Sequence, residues 1–199
     1  MTIAMTAEQS HQRIWEILDP VDSTCFQVVA APAPGPGALA ALEAAAGFAV
    51  PPAYAGFFEG LCRRNNGLCV MAREEVWPQA REFDVGPAWT FWRGLVLLGM
   101  DAPELPDWAS ISAQQRRLAE SGQTGILPLL KVVGDGSRVW GIDRAGTLVE
   151  TGDLDEPVPL DGDLLDLYAV QIAELVQRQK DMAQAIARRQ SGTKGRLPG

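Results

Sequence analysis

The stretch 42–67, LEAAAGFAVPPAYAGFFEGLCRRNNG, constrains the fold more than any other part of the chain. It reads as a helix, a glycine stop, a proline pair, a second helix and an Asn-Gly turn. Gly47 can take the left-handed conformation that closes a helix, with Phe48 behind it as the apolar contact. Val50-Pro51-Pro52 cannot continue that helix, yet proline is well placed to open the next one. Tyr54, Phe57, Phe58 and Leu61 then recur at helical spacing and form one apolar face. Asn65-Asn66-Gly67 ends the run, because Asn and Gly accept positive φ at little cost.

Other elements follow from pattern. Thr6 with Gln9 fits a capping box ahead of an apolar stripe of Ile14, Trp15, Ile17 and Leu18, so 7–18 reads as a helix. Residues 25–30 (CFQVVA) read as a strand, and Pro32 to Gly37 as a stiff connector. Leu68–Met71 and Leu95–Leu98 are short strand candidates, and Ser112 with Gln115 suggests a helix cap. Ile126–Val133 is a nearly unbroken apolar run of the central-strand kind. Arg138–Asp143 and Thr147–Thr151 complete a meander around the Asp143-Arg-Ala-Gly146 turn. Acidic residues 161–166 precede a long helix whose buried face is Leu164, Leu165, Tyr168, Ile172, Leu175 and Val176.

These readings make one α+β domain, a central antiparallel sheet with helices packed on it. An N-terminal helix and strand (1–36) extend a core at 37–190. An insertion spans about 78–125, a long C-terminal helix follows, and 191–199 reads as a disordered tail. A chain of 199 residues, 47% hydrophobic and 21% charged, can build such a core without staples. Cys25, Cys62 and Cys69 are odd in number, lack zinc spacing, and read as free thiols. The N-terminal residues lack a secretory pattern, and no run approaches the roughly 20 apolar residues of a membrane span. The expected location is the cytoplasm.

Catalytic chemistry near neutral pH most often uses a histidine, a metal or an activated nucleophile. The single histidine, His11, sits among polar neighbours and reads as solvated. No GxSxG, phosphate-binding glycine loop or Cys-x-x-Cys occurs, and Asp153, Asp155 and Glu156 lack the EF-hand pattern. The expectation is no catalytic residue, no metal and no cofactor.

Charge says more. The net charge is −8, which disfavours nucleic acid as a partner. Residues 132–166 hold nine acids against Arg138 and Arg144, a net of −7, whereas 167–199 hold six basic residues against Glu174 and Asp181, a net of +4. A clustered acidic field speeds encounter with a basic partner, although loops and helix starts also collect Asp and Glu. Of the six tryptophans, Trp15 and Trp140 read as packing residues. Trp89, Trp92 and Trp108 lie in poorly patterned sequence and are candidates for a partner surface, since aromatics are enriched at binding hot spots.

The 42–67 order resembles the SUKH superfamily, which includes bacterial toxin-immunity proteins and fungal cell-wall regulators. The matching positions are Leu42, Glu43, Gly47, Val50, Pro51, Tyr54, Phe57, Asn66 and Gly67. Residues 126–143 resemble that family's central strands more weakly. The resemblance implies immunity: a non-enzymatic protein that binds a cognate, basic toxin and occludes its active site. The partner surface would be Glu150, Asp153, Asp155, Glu156, Asp161 and Asp163 with Trp89, Trp92 and Trp108. A monomer and a homodimer both suit the long helix. Two alternatives stay open: a regulatory scaffold of the same fold with a housekeeping partner, and a ligand binder or hydrolase using carboxylates such as Asp135 and Asp143.

Overall fold

A computed structural model describes residues 5–77, 91–135, 138–153 and 155–193. The chain folds as α+β around one seven-stranded antiparallel sheet, its strands lying side by side in chain order. They are β1 (Phe26–Val29), β2 (Cys69–Ala72), β3 (Gly94–Leu97), β4 (Ile126–Val133), β5 (Arg138–Asp143), β6 (Leu148–Gly152) and β7 (Val158–Pro159). The helices are α1 (Ala7–Leu18), α2 (Ala38–Ala46), α3 (Ala55–Gly60), α4 (Ile111–Glu120) and α5 (Leu164–Thr193).

β4 is apolar apart from Lys131, which is itself buried, because both of its faces are covered. Neighbouring residues in a strand point to opposite faces. Leu127 belongs to the main core, while Ile126 meets Leu118 of α4 and Val149 in a second, smaller cluster. The main core combines the other sheet face with Ile14 and Leu18 of α1, Phe57 and Phe58 of α3, and Tyr168, Ile172 and Leu175 of α5. Pro128 lies inside β4, where its missing N–H would break the ladder. The register shifts between Pro128 and Leu130, so a bulge absorbs the gap.

The 42–67 segment closes as its residues predict. Gly47 takes φ 74° and donates its N–H to Glu43 O at 2.9 Å. The Glu43 carboxylate accepts from Val50 N at 2.8 Å, which fixes the approach to Pro51. Pro51 packs near Gly146, and the Tyr54 hydroxyl donates to Gly146 O at 3.4 Å, joining this segment to the β5–β6 turn. α3 widens into one π-helical turn, Leu61–Asn65, that delivers Asn66 to the end of β2. Fully buried Asn66 donates to Pro32 O and Met100 O, each at 2.9 Å, and accepts from Met100 N at 2.8 Å. It also accepts from Ala31 N at 2.7 Å through its carbonyl. Gly67 follows at φ 59°.

Five expectations change. The 78–125 stretch reads as an insertion, yet it holds β3, which pairs with β2 and β4 near the middle of the sheet, and α4; its residues 78–90 lie outside the described residues. The cap of α4 is Ser110 rather than Ser112. Gly99 donates its N–H to Ala109 O and accepts from Ile111 N at its own carbonyl, each at 2.9 Å, pinning Ser110 so that its Oγ accepts from Ala113 N at 3.2 Å. Trp15, expected to pack, is 46% exposed, because it is one residue and about 100° round the helix from Ile14. His11 is half-buried rather than solvated: its Nδ1 lies 3.2 Å from Asn65 Oδ1 and its ring meets Trp15 edge-on. The helix also runs through Thr193, into the expected tail, and 194–199 lie outside the described residues.

Candidate functional site

The acids of 150–166 occupy one margin of the sheet, but they do unlike jobs. Glu150 on β6 lies opposite Trp140 and diagonal to Arg138, and takes a two-pronged bond from the arginine, Nε at 3.1 Å and Nη2 at 2.8 Å. Its Oε2 also accepts from Trp140 Nε1 at 3.1 Å. The Arg138 guanidinium lies 5.7 Å above the Trp140 ring. This pairing raises the pKa of Arg138, and Glu150 is committed within the sheet. Asp163 is likewise spent, since its Oδ1 accepts from Asp166 N at 2.9 Å and caps α5. Asp143 closes its own turn, accepting from Ala145 N at 2.9 Å and Thr147 N at 2.8 Å.

Asp153, Asp155, Glu156 and Asp161 remain exposed. β7 runs between them, pairing Val158 with Glu150 and Pro159 with Val149. Val158 is 49% exposed. The edge therefore presents an apolar residue with carboxylates at both ends. Pro157 and Pro159 carry no N–H, so this edge is poorly suited to accept an added strand. Recognition here would run through side chains. Between Arg144 and Arg178 the chain has eight acids, Glu150, Asp153, Asp155, Glu156, Asp161, Asp163, Asp166 and Glu174, and no Lys or Arg.

The predicted aromatics do not gather on that edge. Trp92 is half-buried and lines a cavity with Arg138 and Trp140 at the Gly152 end of the sheet. Trp108 is 39% exposed and precedes α4, and its carbonyl accepts from Gln114 Nε2 at 3.3 Å. The far end of α4 leads to Gln123, which donates to Gly152 O. A ten-residue helix, about 15 Å long, thus stands between Trp108 and Gly152. Trp89 lies outside the described residues. Val158 is the residue that sequence reasoning missed. A two-residue strand that follows one proline and contains another has no periodicity to detect.

Among the described residues no group of three or more His, Cys, Asp and Glu is placed to hold a metal. No helix there is long and apolar enough to cross a membrane. Cys25, Cys62 and Cys69 are free thiols, and burial pushes Cys69 up to about 12. Against known proteins, the chain matches no family model and no curated protein.

Proposed function

We propose that this chain is a binding protein of the immunity kind, which neutralises a basic protein toxin by covering it with the acidic β7 edge. The observation that carries the reading is the set of uncommitted carboxylates, Asp153, Asp155, Glu156 and Asp161, around exposed Val158. Carboxylates that are already paired can add little to a partner. Exposed ones of one sign raise the encounter rate and orient the approach. The resemblance at 42–67 supports the same reading, because its residues act as builders of the scaffold: Glu43, Gly47, Asn66 and Gly67 all close chain turns.

The test is capture of partners from native extract at low and high salt, by wild type and by the variant D153K/E156K/D161K. The expected result is one stoichiometric basic protein, retained at low salt, weakened at high salt and lost by the variant. That protein should arrest growth when produced alone and not when co-produced with this chain. A harmless partner would move the reading to a regulatory scaffold. Equal capture by the variant would remove the acidic edge from the mechanism.

A further inference from the structure

A cavity of about 110 Å³ lies between the Gly152 end of the sheet and the middle of α5. This is several times the space one water requires. Gln171, Glu174 and Arg178 project into its wall from one side of α5, at a spacing that stacks them on one helix face. Asp135, Arg138 and Trp140 come from the sheet side, and Trp92 closes a third side.

The two arginines of this wall differ. Arg138 is satisfied by Glu150, as described above. Arg178 is mostly buried, and its Nη1 is 3.6 Å from Glu174 Oε2, an ion-pair distance rather than a hydrogen bond. Its Nε and Nη2 are shielded from solvent and have no hydrogen-bond partner. Those two N–H groups form the side-on fork of a guanidinium, the edge that fits a carboxylate bidentately. Burial lowers the pKa of Arg178 and the Glu174 charge opposes that shift, so the cation is held at a cost. An unfilled, shielded fork beside a polar cavity is the signature of a missing acceptor.

Charge selects the ligand further. Asp135 and Glu174 balance Arg138 and Arg178, so the wall is neutral. A simple anion would unbalance it. A molecule carrying both a carboxylate and an ammonium would leave it neutral, and the Glu174 carboxylate is at hand for the ammonium. We propose that this cavity is a binding site for a small amino-acid-like zwitterion, its carboxylate on the Nε/Nη2 fork of Arg178 and its ammonium toward Glu174. The site is separate from the β7 edge and does not depend on the immunity reading.

The experiment is titration of the full chain with glycine, alanine, acetate and methylammonium at constant ionic strength, read by calorimetry and by the Arg178 Nε–H resonance. Glycine or alanine should bind saturably and move that resonance. Acetate and methylammonium should bind about tenfold or more weakly, since each lacks one charged contact. Arg178→Lys keeps the charge without the fork and should also weaken binding about tenfold, with folding intact by circular dichroism. Arg178→Gln should abolish it. Capture of the partner protein should be unchanged in both variants. Acetate binding as tightly as glycine would overturn the zwitterion assignment. Absence of saturable binding by all four probes, or full binding by Arg178→Lys, would overturn the site.

Discussion

The knot around Asn66 and the edge around Val158 are both rich in polar side chains, and they use them in opposite ways. At the knot, one amide makes three side-chain hydrogen bonds and joins the 31–32 connector, the end of the π turn and the exit of β3. At the edge, Asp153, Asp155, Glu156 and Asp161 stay in solvent while their neighbours Glu150 and Asp163 are committed internally. The contrast separates residues that build this protein from residues left over for something else. A polar residue bonded inside the fold is costly to change and carries little information about partners. An exposed, uncommitted one is cheap to change for stability, so its effects on binding can be read cleanly.

Breaking the knot should have the largest effect. Asn66→Ala leaves Met100 N–H and two carbonyls without their buried partner, and should lower unfolding free energy by about 3 kcal/mol or more in urea titrations. Beside it, Cys69 gives the same region a pH signature. The unfolded thiol releases its proton near pH 9, whereas the folded one holds it to about 12. Stability from this group is therefore full below pH 9 and falls above it, by about 2 kcal/mol near pH ~10.5. Cys69→Ala should flatten that alkaline limb. Glu150→Ala tests the boundary between the regions. It strips Arg138 and the buried Trp140 indole of their acceptor, and should cost about 1.5 kcal/mol in the same titrations. Glu43→Ala, which frees Val50 N–H, should cost about 1 kcal/mol. Smallest of all, D153N/E156Q/D161N should shift stability by no more than about 0.5 kcal/mol. The same triple variant should slow association with the partner at low salt and lose that difference at high salt, measured by stopped-flow mixing. A large stability loss there would erase the contrast with the knot.

Much of the frame was legible because it rests on long or repeated signals. The run at Ile126–Val133 and the turn at Asp143–Gly146 fall where pattern places them, and Gly47 and Gly67 both adopt positive φ. The helix stripe of 164–176 is buried as read, apart from half-buried Val176. The misses share a cause: a local cue was overridden by a distant contact. Ser110 caps α4 because Gly99 holds it, and Gly99 is eleven residues away in the chain. β7 exists only because Val149 and Glu150 offer it a partner. The cavity gathers Trp92, Asp135 and Arg178 from places far apart in sequence, and nothing local marks Arg178 as a donor without an acceptor. Glu150 and Asp153 look alike as letters, and only the ladder distinguishes them.

The order of strands in the sheet has a further consequence for how the molecule is made. Each strand lies beside the one before it, so a ribosome would release the sheet strand by strand in its final order. Yet the lid over its central strands is α5, whose Tyr168, Ile172 and Leu175 follow all seven strands in the chain. During synthesis the growing sheet must therefore hold a partly uncovered apolar face until α5 emerges to complete the cover of α1 and α3, and that interval is when a chaperone would be needed most.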